Sequence, residues 1–167
     1  ELGITSLELM PVYDFEEIIF PENMPLKYAM KMKDKMKTNY WGYTKGNYFA
    51  PKPAYCATKD SIKEFRDMVK SLHKAGIECI LEFYFPKETQ QLLVLQVLHH
   101  WYLTHHVDGF HLIGDGVPVE MICKDPLLCK AKLIFTGVPY TEKKSGVRNI
   151  AVCNDDFKQN ICRFVIS

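Results

Sequence analysis

The sequence lacks the short motifs that would assign a function class directly. Neither the dinucleotide-binding pattern G-x-G-x-x-G nor the phosphate-binding pattern G-x-x-x-x-G-K-[ST] occurs, so no motif supports nucleotide binding. The six cysteines form no C-x-x-C pair, and their spacings match no zinc-binding pattern. We therefore expect no cofactor and no metal site.

Long apolar runs and an excess of one charge are also missing. No run approaches the ~20 apolar residues that a membrane-spanning helix needs, and the longest, Leu92–Leu98, is interrupted by Gln96. The net charge of +1 provides no general attraction to polyanions. We expect neither nucleic acid nor a membrane as a partner.

The chain start shows no signal peptide at Glu1. It also lacks an initiator methionine and opens inside a motif, so we expect a piece of a longer protein. With 167 residues, of which 47% are apolar, the chain can build a core without a disulfide framework. We expect free thiols, a reducing (cytoplasmic) compartment and one domain spanning residues 1–167.

Hydrophobic patterns predict alternating strands and helices. Predicted strands cover 4–10, 77–85, 107–113, 132–138 and, more weakly, 149–153. Predicted helices cover 60–75, 90–105, 154–164 and, more weakly, 118–130. The nearly continuous apolar run 77–85 is typical of a strand buried on both faces of a parallel sheet.

A long stretch, 11–57, contains five prolines and is predicted to be an irregular loop. Its lysine-rich part, 26–37, is interpreted as a solvated loop, with a patch for an anionic partner as the alternative. Because strands and helices alternate, we expect an α/β fold with parallel strands. An open doubly wound sheet and a (β/α)8 barrel both fit this order.

Four segments narrow the choice of fold. They are ELGITSLELMPVYDF (1–15), NYWGYTKGNYFAP (39–51), IKEFRDMVKSLHKAGIECIL (62–81) and HVDGF (106–110). In this order they resemble the α-amylase clan of glycoside hydrolases, family 13, and within it the debranching branch of pullulanase, isoamylase and glycogen debranching enzymes. KLIFTGV (132–138) and NDDFKQNICRF (154–164) continue the resemblance more weakly. The resemblance implies part of a (β/α)8 barrel, strands 2 to 5 or 6, acting on or binding α-glucans.

The resemblance also implies which positions of this chain correspond to the family's catalytic groups. The nucleophile position reads Ile113, and the arginine that positions the nucleophile reads His111. The acid/base position reads Thr136, and an Asn–His pair that shapes the sugar site reads Pro86–Lys87. Retaining hydrolysis needs two carboxyl groups, so we expect no intact catalytic set and no hydrolysis by this chain.

Two carboxylates remain as weak replacement candidates. Asp115 lies two residues beyond the nucleophile position, a shift of roughly 6.6 Å along a strand, and Gly114 and Gly116 indicate a turn there. Glu82 stands in an apolar strand and needs a buried partner. Asp108 lies before the catalytic end of its strand, and we expect it to be structural.

Sugar binding has better support than hydrolysis. Trp41 and Tyr43 match positions where aromatic rings line the family's glucan cleft, with Tyr13 as a weaker candidate. His111 is a candidate to hydrogen-bond a sugar hydroxyl. Four clustered histidines are interpreted as helix-end and surface residues rather than a metal site: His99, His100, His105 and His106.

Three hypotheses follow. The first is a catalytically degenerate, glucan-binding or structural domain whose remaining barrel strands come from a longer chain or another subunit. The second is an active debranching glycosidase that receives carboxylates from elsewhere or recruits Asp115 and Glu82. The third is an unrelated α/β interaction domain, which a first strand not paired in parallel with 77–85 would favour.

Overall fold

The computed structural model describes residues 3–19, 37–137 and 149–166. The lysine-rich segment 26–37 lies outside the described residues, apart from Lys37. Among the described helices, none combines the length and the hydropathy of a membrane-spanning segment.

The described elements follow the predicted alternation. The strands are β1 (Ser6–Leu9), β2 (Tyr13–Phe15), β3 (Ile18–Ile19), β4 (Lys37–Thr38), β5 (Gly46–Pro51), β6 (Glu78–Tyr84), β7 (Gly109–Ile113), β8 (Lys132–Phe135) and β9 (Ile150–Val152). The helices are α1 (Ser61–Lys74), α2 (Gln91–His100), α3 (Val119–Lys124) and α4 (Asp155–Ile166). A π-helical turn, Trp101–His105, continues α2, and 3₁₀ turns cover Pro53–Tyr55 and Leu128–Lys130.

Five strands form one parallel sheet in the order β1-β6-β7-β8-β9. Leu81, Phe110, Leu133 and Ile150 lie in one row across it. Each new strand adds to the same edge, whereas a doubly wound sheet reverses its strand order. The described strands are thus compatible with an arc of an α/β barrel. The parallel pairing of β1 with β6 also removes the observation that would have favoured an unrelated domain.

The two faces of this sheet differ in polarity. Alternate residues such as Leu81, Phe83 and Leu112 are fully buried in the hydrophobic core. The Phe83 ring lies 5.7 Å from the Trp101 ring at the end of α2. On the opposite face Ile80 is buried and Glu82 is partly buried. The strand is therefore largely covered on both faces, as predicted, with Glu82 as its polar exception.

The stretch 11–57 is more ordered than the sequence predicted. β2 pairs with β5 and β3 with β4, both antiparallel. Tyr13, Phe15 and Tyr48 enter the main core, and the Trp101 indole donates a hydrogen bond to the Tyr48 carbonyl at 2.6 Å. The described part of this stretch is therefore a packed excursion from the sheet, not an irregular loop.

Local signals explain the helix boundaries. The Asp60 side chain accepts a hydrogen bond from the Lys63 amide and caps α1. Glu64 in the first turn reaches back to the Ala57 and Thr58 amides. The weak helix predicted over 118–130 is interrupted at Asp125, whose carboxylate accepts from the Leu128 amide, and Pro126 follows.

Candidate functional site

Three ionisable side chains meet on the polar face of the sheet. Glu8 of β1, Glu82 of β6 and His111 of β7 stand on adjacent strands, and Glu82 is aligned with His111. The His111 Nδ1 atom lies 2.5 Å from Glu8 Oε1 and 3.9 Å from Glu82 Oε1. We call these three residues the Glu–Glu–His cluster.

Glu82 has the polar partners that its place in an apolar strand requires. The Tyr43 hydroxyl donates to Glu82 Oε2 at 2.5 Å. Burial, followed by the neighbouring Glu8 carboxyl, raises the pKa of Glu82, while the Tyr43 hydrogen bond and His111 oppose the rise. In turn, burial and the hydrogen bond to Glu82 raise the pKa of Tyr43 to about 12.

The other ring nitrogen of His111 faces β8 and the end of β9. Its Nε2 atom lies 2.7 Å from Thr136 Oγ1 and 3.7 Å from Cys153 Sγ. The imidazole is thus held on both sides, with carboxylates at Nδ1 and a hydroxyl at Nε2. Because both nitrogens have partners, the ring is fixed in the plane of the cluster.

The two positions expected from the resemblance to match catalytic carboxyl groups, Ile113 and Thr136, lie nearby, and neither side chain has a carboxyl group. Ile113 ends β7 and is aligned with Tyr84. Thr136 directly follows β8, and its hydroxyl is engaged by His111. An alkyl group and a hydroxyl with an ordinary high pKa supply neither a nucleophilic carboxylate nor a general acid near neutrality.

The remaining predicted residues are placed away from the cluster. Asp115 is exposed in the turn after β7, following Gly114 with its positive φ of 104°. Lys87 is exposed beyond the end of β6. Asp108 precedes β7, accepts a hydrogen bond from the Cys79 amide at 2.7 Å and lies 2.8 Å from His73 Nε2. Asp108 thus ties α1 to the sheet, the structural role expected of it.

Two of the three predicted sugar-binding aromatics are accessible. Trp41 and Tyr43 are 61% and 40% exposed. Tyr13 is fully buried, and its hydroxyl lies 2.9 Å from the Gly42 carbonyl and 2.8 Å from the Thr44 carbonyl. A ring inside the core cannot stack on a sugar, so the expected contact of Tyr13 is corrected. Its role is to anchor the loop that presents the other two rings.

The clustered histidines are only partly as predicted. His99 pairs with Asp125 at 2.9 Å, and His106 is exposed with a left-handed backbone. His105 is 2% exposed, packs 4.6 Å from the Trp101 ring, and its Nδ1 atom has no hydrogen-bond partner among the described residues. Burial, together with cationic neighbours, lowers the pKa of His105 to about 4.

Glu8 is the site residue that the sequence interpretation missed. Like Glu82, it is a carboxylate inside an apolar strand segment, ITSLELM. A carboxylate inside an apolar strand segment is a sequence signal that could have identified Glu8 as a candidate site residue. Sequence spacing does not bring the three residues together, since the cluster joins residues 8, 82 and 111 from separate strands.

Comparison with known proteins supports the resemblance, while no family model matches the chain. Isoamylase 3, chloroplastic, from Oryza sativa subsp. japonica is 28% identical over 199 residues, covering 80% of this chain and 25% of the relative. The chain therefore spans about a quarter of that relative's length. The aligned span is longer than this chain, so the relative carries extra residues within it. The similarity supports a debranching-type relative of the α-amylase family.

Proposed function

We propose that this chain is an α-glucan-binding, glycoside-hydrolase-like domain that does not hydrolyse glucans as it stands. The similarity to an isoamylase and the parallel sheet support the glycosidase-like framework. The binding role and the loss of hydrolysis are inferred from the residues at the strand ends.

The proposal is carried by the absence of a carboxyl group at Ile113 and Thr136, the two positions that the resemblance matches to the catalytic pair. Ile113 cannot attack an anomeric carbon or stabilise an oxocarbenium ion. Thr136 cannot protonate a leaving group near neutral pH. Two carboxyl groups separated by roughly 5–5.5 Å are required for retaining hydrolysis, and neither family position provides one.

The exposed pair Trp41 and Tyr43 supports binding. Both rings extend from the loop that Tyr13 anchors, and Tyr43 is also tethered to the sheet through Glu82. Flat aromatic rings offer apolar area to sugar C–H faces at low conformational entropy cost. His111 faces the same polar surface and stays a candidate donor to a sugar hydroxyl.

The test is an isothermal calorimetric titration of the purified chain with maltoheptaose. We expect Trp41→Ala to weaken binding about tenfold or more, equivalent to ~1.4 kcal/mol. Tyr40→Ala is the matched control, because Tyr40 is a neighbouring aromatic with 75% exposure and no assigned sugar contact. Equal losses in the two variants, or no binding by the unmodified chain, would refute the glucan-binding role.

The rival proposal is an active debranching glycosidase. Its support is Glu82, a partly buried carboxyl with a raised pKa, the kind of group that serves as a general acid. A reducing-end assay on pullulan and maltoheptaose decides between the two proposals. Activity that disappears in Glu82→Gln or Asp115→Asn would establish recruited carboxylates and reject the non-hydrolytic role.

We further propose that a longer chain or another subunit supplies the remaining barrel strands, since five parallel strands do not close an eight-stranded barrel. A reducing, cytoplasmic location stays a proposal drawn from the cysteines. α-Glucan is the proposed partner, and neither nucleic acid nor a membrane is proposed.

A further inference from the structure

We propose that the Glu–Glu–His cluster binds one divalent transition-metal ion, of which Zn²⁺ is the natural probe. Each of Glu8, Glu82 and His111 offers one ligand atom, and the three atoms lie within 4.8 Å of one another. The donors come from three adjacent strands of one sheet, so the backbone fixes their relative positions. The site shares His111 and the Tyr43 contact with the proposed glucan-binding surface, but metal binding goes beyond that role and is tested separately from it.

Two ionised carboxyl groups beside one imidazole give the cluster an excess of negative charge, which favours a bound cation. Two carboxylates face a single imidazole, and no lysine or arginine among the described residues lies within ion-pair distance of either one. Other carboxylates on the sheet are compensated, as Glu78 is by Lys132. Glu82 and His111 each have side chains only 13% exposed, so water screens their charges weakly.

The donor set selects the class of metal. Two carboxylate oxygens and one imidazole nitrogen suit Zn²⁺ and similar first-row ions, whereas Ca²⁺ and Mg²⁺ prefer oxygen ligands alone. Bonds of about 2.0–2.2 Å place tetrahedral ligand atoms roughly 3.4 Å apart. To reach this spacing, Glu82 Oε1 must move closer to His111 Nδ1 than its present 3.9 Å. Glu8 Oε1 must move farther from the same nitrogen than its present 2.5 Å. Glu8 has the freedom to move because its side chain is 38% exposed.

Residues around the cluster provide the supporting hydrogen bonds of a metal site. Metal-bound histidines donate their second ring N–H to a nearby acceptor, and Thr136 Oγ1 stands 2.7 Å from His111 Nε2 for that purpose. Tyr43 holds Glu82 Oε2 and leaves Oε1 directed toward the imidazole. A metal ion at Nδ1 would use the tautomer that carries its proton on Nε2, which faces Thr136 Oγ1.

Zn²⁺ binding to the tag-free, chelator-treated chain tests the assignment. Equilibrium dialysis with elemental analysis is expected to give one Zn²⁺ per chain, with a raised Tm. Glu8→Gln and Glu82→Gln each remove one ligand charge and are expected to weaken binding at least tenfold. Thr136→Val is expected to weaken it by roughly 10–100-fold, as for other residues that orient a ligand.

Two control variants make the result specific. Glu78→Gln alters a carboxylate on the same sheet face and is expected to retain full Zn²⁺ binding. Cys153→Ser is expected to retain it too, because the thiol lies on the Nε2 side of His111. Loss of Zn²⁺ binding in Cys153→Ser would place the metal at His111 Nε2 instead of Nδ1 and would refute the proposed site.

Unchanged stoichiometric binding in both glutamine variants, or no saturable binding by the unmodified chain, would also refute the site. Circular dichroism identifies any variant that fails to fold, and Glu8→Gln on the edge strand then carries the test alone. The outcome does not depend on glucan binding, which maltoheptaose titration measures separately.

Discussion

At the scale of single residues, polar groups in apolar strands are the informative anomalies. Glu82 is tolerated in β6 because Tyr43 and His111 satisfy its carboxyl group. Asp108 is tolerated because it accepts a hydrogen bond from the Cys79 amide and pairs with His73. The sequence identified Glu82 as needing a partner, but its partners lie 39 and 29 residues away and became visible only in the fold.

Tyr43→Phe is expected to raise the pKa of Glu82 further. The Tyr43 hydrogen bond stabilises the ionised carboxylate and is one of the contributions that lower this pKa. A ¹³C NMR titration of the side-chain carboxyl carbons measures the change. Trp41→Phe serves as the control, since it alters the same loop without touching Glu82. An unchanged or lower Glu82 pKa in Tyr43→Phe would contradict the described contact.

His105 is expected to make the fold acid-sensitive. Its folded pKa of about 4 lies below the ordinary 6.5, so the unfolded chain binds more protons between these values. The contribution of neutral His105 is complete above pH ~6.5 and is lost as the pH falls toward 4, up to about 3 kcal/mol. Urea unfolding at several pH values, compared with His105→Phe, isolates this contribution. A variant that loses stability over pH 6.5–4 as steeply as the unmodified chain would show that His105 is not responsible.

At the scale of elements, local signals located the main strands and helices well. The five strands of the parallel sheet and the helix between Asp60 and Gly76 fall where periodicity and capping residues placed them. The antiparallel pairs in 11–57 escaped prediction because β2 has only three residues and its partner begins 33 residues after its first residue. Short strands paired over such distances leave no local periodic signal.

Asp60→Ala tests the capping argument. Loss of the side-chain acceptor for the Lys63 amide is expected to reduce the free energy of unfolding by about 1 kcal/mol. Urea unfolding provides the measurement. Lys59→Ala, one residue earlier and exposed, is expected to change it by less than about 0.5 kcal/mol. Equal effects of the two substitutions would remove Asp60 as the cap of α1.

At the scale of the whole molecule, the sheet has one face in a core and one polar face. Helices cover the apolar face, with Phe83 at its centre between Tyr13, Trp101 and Phe110. Glu8, Glu82 and His111 stand on the other face, which in a closed α/β barrel would point inward. The alternation of strands and helices in the sequence predicted the parallel sheet. The cluster itself was not predicted, because strand order and register decide which of these residues become neighbours.

The proposed function combines sugar stacking on Trp41 and Tyr43 with the absence of a carboxyl group at Ile113 and Thr136. A crystal structure of the chain soaked with a maltooligosaccharide tests this most directly. The account predicts a sugar ring stacked on Trp41 and Tyr43, with no carboxyl group beside its anomeric carbon. A sugar whose anomeric carbon lies against Asp115 or Glu82 would contradict it and would identify a relocated active site.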